Sequence, residues 1–329
     1  MKIKRTWPSS LKPFSYSTKQ ALTMKILEYD WLLHLYYEIT AAAAGVKKHS
    51  LSIDNDKKTI FSYYEKGKQV PGQSSMIFIH GFSSNKESWL SLLQYIPDGY
   101  HCIIIDLPRH GETVEHKEDN HTIDTFIDKI KLFLDQMNLT KSLYIIGASM
   151  GATFVAIFAT KYPEYVDMIC LLAPVPVREY ESDFIKELCL GKHYILLPET
   201  SEQFYTMAEK LTVKKTNLPD VFVKRYFKSR LRLLEEQKEI LRSFISYEYL
   251  NLEEYYEKLQ NIKYPVLIIW GRRDQICVVE SAEYFSKLIT DVELIIFNDC
   301  GHFISYDKPE ATATNIIRFL DQHSYCSIK

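Results

Sequence analysis

The sequence lacks the features that mark several classes of protein. No apolar run reaches the roughly 20 residues of a membrane-spanning helix, and residues 1–30 carry basic side chains but no apolar segment of the secretory-signal type. The formal net charge is only −2, and neither a zinc finger nor a Walker loop occurs. We therefore expect no cleaved leader, no clean transmembrane helix and no nucleic-acid partner.

The cysteine pattern argues against a disulfide framework. Six cysteines are scattered through the chain, with no C-x-x-C pair and no regular spacing. Because disulfides persist mainly in oxidising compartments, we expect reduced thiols and an intracellular protein. The cysteines are Cys102, Cys170, Cys189, Cys277, Cys300 and Cys326.

One apolar stretch near the start of the chain, residues 31–46, allows two interpretations. It is interrupted by His34 and Glu38, and it carries Tyr36 and Tyr37 downstream of several lysines. Such a segment could lie in a membrane interface as an amphipathic anchor. It could equally form a helix that packs on the surface of the domain.

Further along the chain, short apolar runs alternate with amphipathic segments. Each run is rich in Ile, Leu and Val and ends in Gly, Pro, Asp or Asn, which is typical of a buried strand. The segments between them, such as residues 123–138 and 152–162, predict helices, so the class is α/β with a parallel sheet covered on both faces. Residues 49–67 alternate polar and apolar around a turn at Asn55 and Asp56, which predicts an antiparallel hairpin before the parallel strands.

The alternation of strands and helices stops between residues 177 and 261. Helix formers dominate this stretch, and it has no strong strand signal. We interpret residues 177–261 as a helical lid inserted into a core of residues 51–176 and 262–329, after an amino-terminal extension of residues 1–50. The lid holds more large apolar side chains than small helices need for packing, so we expect some of them to face a cavity.

The segment GASMG, residues 147–151, fits the pattern G-x-S-x-G between a predicted strand and a predicted helix. The two backbones approach closely at such a turn, and Gly147 and Gly151 leave the space for it. The turn would hold the hydroxyl of Ser149 above the carboxyl ends of the strands, where open α/β sheets bind ligands. Ser149 is therefore the candidate nucleophile.

A serine nucleophile needs a base, and the base needs an acid that orients it. Asp274 follows the apolar run VLIIW and His302 follows the run ELIIF, so both are predicted in loops at the carboxyl ends of consecutive strands. The chain order Ser149, Asp274, His302 is the order that this kind of elbow predicts. Asp299 is the weaker candidate for the acid, because it shares a loop with His302 and cannot easily reach the far nitrogen of the ring.

The tetrahedral intermediate of acyl transfer needs backbone donors for its oxyanion. The residue after the nucleophile supplies one N–H group, which makes Met150 the first candidate. The stretch IFIHGF ends a predicted strand at His80, and Gly81 permits a turn there. The N–H group of Phe82 is the second candidate, and the side chain of Phe82 is then free to line an acyl pocket.

These stretches make the sequence similar to the α/β-hydrolase superfamily, and within it the chain resembles the membrane-associated α/β-hydrolase-domain monoacylglycerol lipases. The resemblance is carried by HGFSSNKESWLSLL, IIDLPRHGET, GASMG, YPVLIIWGRRDQ and NDCGH, and it covers roughly residues 51–320. It implies an α/β-hydrolase fold, with a mostly parallel eight-stranded sheet, helices on both faces and a helical lid.

The resemblance also implies a serine hydrolase that cleaves carboxylic esters of lipids, above all monoacylglycerol, with lysophospholipids as further substrates. Ser149 would be the nucleophile, Asp274 the acid and His302 the base, with Phe82 and Met150 as oxyanion donors and with no cofactor or metal. The expected partners are a lipid ester and a membrane surface. The protein would be intracellular and membrane-associated, with a cytoplasmic protein as the alternative, and the oligomeric state is left open.

Other functions are compatible with the same residues. A general carboxylesterase or a hydrolase of carbon–carbon bonds could use the same triad, and long-chain preference would require a deep apolar pocket under the lid. A catalytically silent lipid-binding protein could keep the fold, although the complete triad argues against it. An epoxide hydrolase or a dehalogenase with an aspartate nucleophile is disfavoured, because residue 149 is a serine.

Overall fold

The computed structural model describes residues 31–54, 59–115, 120–214 and 220–324. Within these ranges the strands form a single nine-stranded sheet. The strands are β1 (Val46–Ser52), β2 (Thr59–Lys66), β3 (Ser75–Ile79), β4 (Cys102–Ile105), β5 (Val114–Glu115), β6 (Leu143–Ala148), β7 (Val166–Leu172), β8 (Val266–Gly271) and β9 (Val292–Phe297). The count exceeds the predicted eight by β5, which has two residues and pairs with the start of β2.

The sheet has the order β1-β2-β4-β3-β6-β7-β8-β9, with β5 attached to β2. Strands β3, β4, β6, β7, β8 and β9 run parallel, whereas β2 is antiparallel to β1, β4 and β5. The predicted hairpin before the parallel strands is therefore confirmed as β1 and β2. Its predicted turn at Asn55 and Asp56 lies outside the described residues, as do residues 1–30.

Helices of very different length connect and cover the strands. The α-helices are α1 (Trp31–Ala43), α2 (Leu90–Leu93), α3 (Ile123–Gln136), α4 (Met150–Lys161), α5 (Asp183–Cys189), α6 (Ser201–Leu211), α7 (Asp220–Leu231), α8 (Leu234–Ser243), α9 (Leu252–Glu257), α10 (Ser281–Leu288), α11 (Ile304–Asp307) and α12 (Pro309–Ser324). Short 3-10 turns lie at Lys86–Trp89, Pro163–Tyr165, Arg178–Tyr180, His193–Ile195, Tyr249–Asn251 and Lys258–Asn261, and a π-helical turn lies at Phe244–Glu248.

The core lies on both faces of the parallel strands. Every residue of β3, β4 and β8 is buried, which is why these strands are continuous apolar runs instead of alternating patterns. Helix α4 is also buried on all sides over its first ten residues, from Met150 to Ala159. The element that carries the candidate nucleophile at its start is therefore held by the centre of the core.

The described residues between β7 and β8 contain helices α5 to α9 and no strand. Most of their buried apolar side chains join the main core, and a separate small cluster is formed by Phe204, Met207, Val223 and Phe227. We call helices α5 to α9 and the turns between them the lid. The division of the chain into core, lid and amino-terminal extension stays a prediction.

Helix α1 packs on the domain with one face and leaves apolar side chains on another. Leu33 and Ala41 are buried, whereas Leu35 is 42% exposed and Ile39 is 60% exposed. In the part of the chain that the structure describes, no helix combines the length and apolar character needed to cross a membrane. The interpretation of this stretch as a helix packed on the domain is confirmed for one face of α1. Among the described residues, none covers the other, exposed face.

Candidate active site

Ser149 occupies a sharp turn between β6 and α4. Its backbone has φ 55° and ψ −124°, a conformation that a residue with a side chain adopts only when its surroundings hold it. Its N–H group donates a 2.8 Å hydrogen bond to the carbonyl oxygen of Leu172 at the end of β7. The hydroxyl group is thereby carried to the carboxyl edge of the parallel sheet, as the sequence predicted.

The glycines on either side of Ser149 are required by close backbone contacts. A Cβ atom on Gly147 would lie 2.4 Å from the carbonyl oxygen of Gly151, and a Cβ atom on Gly151 would lie 2.3 Å from the carbonyl oxygen of His80. Real Cβ atoms do not approach backbone atoms so closely. The second contact also shows that α4 begins directly against the end of β3.

His302 and Asp274 are joined by a hydrogen bond of 2.7 Å between Nδ1 and Oδ2. The second carboxylate oxygen of Asp274 accepts from the N–H groups of Ile276, at 2.8 Å, and Cys277, at 2.9 Å. Since a carboxylate only accepts, Nδ1 of His302 carries the proton and Nε2 is left free to accept. The imidazole therefore has the tautomer that a general base requires.

Asp299, the weaker candidate for the acid, lies elsewhere. Its side chain is 70% exposed and pairs with Arg273 at 3.6 Å, whereas the Asp274 carboxylate is fully buried beside His302. The difference follows from topology, because Asp274 lies in the loop after β8 and approaches His302 from the neighbouring strand. Asp299 precedes His302 by only three residues in the same loop.

Ser149 and His302 line the same cavity, which has a volume of about 120 Å³. Within the described residues their side chains share this cavity without a hydrogen bond between them. Catalytic hydrogen bonds are often long or poorly aligned without substrate and tighten in the complex. The candidate nucleophile and the candidate base therefore line one cavity, and Asp274 contacts the base on its other side.

The two candidate oxyanion donors border Ser149. Phe82 lies in the loop after β3, residues 80–85, which we call the β3 loop, and Met150 begins α4. The β3 loop approaches so closely that a Cβ atom on Gly81 would lie 3.0 Å from Cβ of Ser149. Neither backbone N–H group donates to another group in the described ranges, so both are available to a ligand.

The buried ring of His80, to which the sequence assigned no role, holds the β3 loop. His80 accepts a 3.0 Å hydrogen bond at Nε2 from the N–H group of Leu107, and its Nδ1 donates to the carbonyl oxygen of Gly81 at 2.7 Å. Burial lowers the pKa of His80 to about 4, and burial together with the neighbouring His80 lowers the pKa of His110 to about 3. Both rings are therefore neutral at neutral pH. The pair His80-Gly81 at the end of a predicted strand was the sequence signal that could have indicated this role.

A buried ion cluster fixes the far end of the same loop. Lys86 has a fully buried side chain, and its ammonium group lies 2.7 Å from Asp106, 3.0 Å from Glu87 and 2.9 Å from Glu112. Burial alone would lower the pKa of Lys86, but the three carboxylates raise it well above its ordinary value, so the ammonium stays charged. The cluster ties the β3 loop to the loop after β4. This cluster was not predicted from the sequence, although the charged residues in the stretches IIID and FSSNKESW were a signal.

Two further apolar cavities meet the cavity at Ser149. One of about 70 Å³ is lined by Phe82, Ser149 and Met150 together with apolar side chains such as Leu188 and Ile276. Another, of about 220 Å³, runs between α1 and the lid. It shares six lining residues with the central cavity: Ser88, Met207, Leu211, Tyr226, Arg230 and Phe303. The expectation that apolar lid side chains face a cavity is confirmed by these contacts.

No group of three or more His, Cys, Asp or Glu side chains suited to a metal ion occurs in the described ranges.

A family model described as the alpha/beta hydrolase fold matches residues 75–309 of this chain. Among curated proteins, human monoacylglycerol lipase ABHD6 is 26% identical over 299 residues, which are 88% of this chain and 86% of that protein. Lipase 1 of Psychrobacter immobilis is 26% identical over 297 residues, with coverage of 90% and 88%.

Among solved structures, a membrane phospholipase A described as a bacterial virulence factor superposes with a TM-score of 0.84. The superposition covers 93% of this chain and 96% of that chain, at 24% sequence identity. At this identity the likeness is one of fold. It covers a larger share of this chain than the family model does.

Proposed function

Because the chain belongs to the α/β-hydrolase family, we propose that it is a serine hydrolase that cleaves the carboxylic esters of lipids, with monoacylglycerol as its substrate. Ser149 is the nucleophile, His302 the general base and Asp274 the acid that orients the base. The observation that supports this proposal most is the 2.7 Å hydrogen bond of His302 to a fully buried Asp274 at the cavity that Ser149 lines.

The reaction is a two-step acyl transfer. His302 Nε2 takes the proton of the Ser149 hydroxyl as its oxygen attacks the ester carbonyl, and the carboxylate of Asp274 stabilises the imidazolium that forms. The backbone N–H groups of Phe82 and Met150 bind the negatively charged oxygen of the tetrahedral intermediate. The intermediate collapses, the carbon–oxygen bond to glycerol breaks, and the imidazolium returns its proton to the leaving alkoxide.

The second step repeats the first with water. His302 removes a proton from a water molecule that attacks the acyl group on Ser149, and the fatty acid leaves as the serine regains its proton. The apolar walls near Ser149 support a lipid substrate, because an acyl chain placed along them leaves water. The names of the relatives support the same substrate class, since one is a monoacylglycerol lipase and another a lipase.

The exposed apolar face of α1 supports a membrane surface as the place of reaction. Leu35, Tyr36 and Ile39 are all exposed there, and α1 lines the 220 Å³ cavity that shares six lining residues with the central one. A lipid that leaves a membrane at this face would enter that cavity directly. Membrane contact through α1 is therefore part of the proposal.

The central test replaces the nucleophile. Ser149→Ala should abolish turnover, because in the subtilisin example loss of the serine costs about a millionfold in kcat, whereas Ser286→Ala on the surface of α10 should leave turnover unchanged. Labelling by a fluorophosphonate should disappear in Ser149→Ala alone. Retention of even about a tenth of the wild-type hydrolysis rate would contradict the assignment of the nucleophile.

A substrate panel tests the substrate. Purified protein is assayed with monoacylglycerol, diacylglycerol, lysophospholipid, a short-chain ester and a carbon–carbon substrate of the vinylogous diketone type. The proposal expects the highest kcat/KM for monoacylglycerol. Preference for the short-chain ester would identify a general carboxylesterase, and cleavage of the carbon–carbon substrate alone would identify the other alternative.

A further inference from the structure

Arg230, near the end of α7, connects the lid to the β3 loop. Its guanidinium group donates a hydrogen bond to the hydroxyl oxygen of Ser83 and another, of 3.3 Å, to the carbonyl oxygen of Leu196. The same group lies 5.9 Å from the ring centre of Phe204 and 5.8 Å from that of Tyr226. One side chain therefore holds three segments of the lid and one loop of the core.

Ser83 is a residue whose conformation needs such support. It is buried, its φ of 57° lies in the left-handed region, and it directly follows Phe82. A non-glycine residue in that region is strained and persists because neighbouring groups hold it. The bond from Arg230 acts on the side chain of Ser83, so it restrains the residue that directly follows Phe82 in the β3 loop.

The position of Arg230 is not explained by an ion pair. In the ranges that the structure describes, no carboxylate lies within salt-bridge distance of its guanidinium group, although it lines the cavity that Ser149 and His302 line. A partly buried guanidinium group is usually balanced by an acid. Here its hydrogen bonds go to a hydroxyl and a carbonyl oxygen that join the lid to the β3 loop.

We propose that Arg230 is a positioning residue that holds the β3 loop in the conformation in which the Phe82 N–H group faces the reacting carbonyl oxygen. Arg230 can contact Ser83 only while the lid is packed on the core. Displacement of α7 therefore frees the β3 loop, and with it the Phe82 N–H group, to change conformation. This inference rests on the proposed function, since it takes Phe82 as an oxyanion donor. It adds a link between lid position and the rate of the chemical step.

The test measures kcat and KM for a soluble short-chain ester, p-nitrophenyl butyrate, which depends least on lid contacts with a long chain. Arg230→Met keeps the apolar stem over the two rings and removes the donors. We expect kcat to fall at least about tenfold with KM changed less than about threefold, because loss of a single oxyanion donor costs about 10²–10³ in kcat and displacement costs less. Arg230→Lys should recover part of kcat, since an ammonium can donate but lacks the planar fork.

The matched control is Arg232→Met, one residue beyond the end of α7. Arg232 is exposed and donates to the carbonyl oxygen of Ser229 at 3.4 Å, outside the central cavity. Its replacement should change neither constant. A general effect of lost positive charge on the lid would instead lower kcat in both variants and would overturn the proposal.

A double-mutant cycle tests whether Arg230 acts through Ser83. Ser83→Ala alone should lower kcat to a similar degree, and Arg230→Met combined with Ser83→Ala should be no slower than the worse single variant. If the losses of kcat in the two single variants multiply in the double variant, the proposal is overturned, because Arg230 and Ser83 would then contribute to kcat independently. Should Arg230→Met fail to fold, Ser83→Ala carries the test by itself, and a wild-type kcat in that folded variant would overturn the proposal.

The outcome is separable from that of the proposed function. If Ser149→Ala keeps its activity, the proposed function fails whatever the Arg230 variants do. If Ser149→Ala is inactive and Arg230→Met has the wild-type kcat, the positioning role alone fails. Equal fluorophosphonate labelling at saturation in the Arg230 variants would confirm that their nucleophile is intact.

Discussion

The imidazole of His302 and the carboxylate of Asp274 lie 2.7 Å apart, although 28 residues separate them in the chain. Strands β8 and β9 are parallel neighbours, so the loops that follow them meet at the same edge of the sheet. The carboxylate is held by two backbone N–H groups in its own loop, at Ile276 and Cys277. It is therefore held by contacts that do not involve the histidine, and it can impose one orientation on the ring.

Replacing this carboxylate by an amide should disable the base while leaving the fold. In Asp274→Asn the amide can offer its N–H to Nδ1 and favour the wrong tautomer, which costs roughly 10⁴-fold in kcat in the serine protease example. Steady-state hydrolysis of a monoacylglycerol measures the loss. Asp299→Asn is the matched control, because that side chain is exposed and pairs with Arg273. Equal activity of the two variants would contradict the role of Asp274.

The contact between α4 and the end of β3 predicts a stability effect. In Gly151→Ala the new methyl group would lie 2.3 Å from the carbonyl oxygen of His80 and 2.4 Å from that of Ile79, so the helix must shift. Overpacking of this kind costs about 1–3 kcal/mol, and denaturant unfolding followed by fluorescence measures it. In Gly99→Ala the methyl group would meet no atom within 4 Å, and its unfolding midpoint should match the wild type. A stable Gly151→Ala protein would contradict the close approach.

The neutral buried histidines predict a pH dependence of stability. The pKa values of His80 and His110 are about 4 and about 3 in the folded protein, both below the ordinary 6.5. The unfolded chain therefore binds their protons first as the pH falls below about 6.5. Each ring then lowers the free energy of unfolding by about 1.4 kcal/mol per pH unit down to its folded-state pKa. The free energy of unfolding should have its full value above pH 6.5 and should fall between pH 6.5 and pH 4.

Removing one of these rings tests the origin of the effect. In His110→Gln one proton fewer should be taken up on unfolding between pH 6.5 and pH 4. The slope of unfolding free energy against pH should therefore decrease by about 1.4 kcal/mol per pH unit. His34→Gln replaces an exposed ring on α1 and serves as the surface control. An unchanged slope in His110→Gln would show that other groups cause the loss of stability in acid.

The buried ion cluster predicts asymmetric effects of its members. Lys86→Met leaves the buried carboxylate of Asp106 without its cation, and removal of one partner of a buried pair costs about 3–5 kcal/mol. Lys86→Met combined with Asp106→Asn should recover part of that loss, because no uncompensated charge remains between them. Lys287→Met removes an exposed ion pair with Glu283 and should leave the unfolding free energy unchanged. A double variant less stable than Lys86→Met would contradict this account.

The exposed face of α1 predicts membrane binding that depends on one side chain. Ile39→Asp should reduce co-sedimentation with vesicles of phosphatidylcholine and phosphatidylglycerol, because it places a charge where an apolar side chain would enter the interface. Leu132→Asp makes the same change at an exposed position of α3 and should bind as the wild type does. Equal binding of all three proteins would contradict contact through α1.

Much of the architecture followed from local pattern. Continuous apolar runs that end in turn residues predicted the parallel strands, and the alternating segment predicted the hairpin of β1 and β2, because burial on two faces or on one leaves different periodicities. The two-residue strand β5 had no such pattern, since two residues carry no period. The eight strands that the resemblance implies do not include it.

By itself the sequence determined the class of fold, the elbow at Ser149 and the loops that carry Asp274 and His302, because strand ends and glycine spacing are local properties of the chain. Only the tertiary structure decided that Asp274 and not Asp299 contacts His302, that Lys86 gathers three carboxylates, and that Arg230 reaches the β3 loop. These contacts join residues far apart in the chain, and whether two such side chains meet depends on strand order and on the packing of the lid.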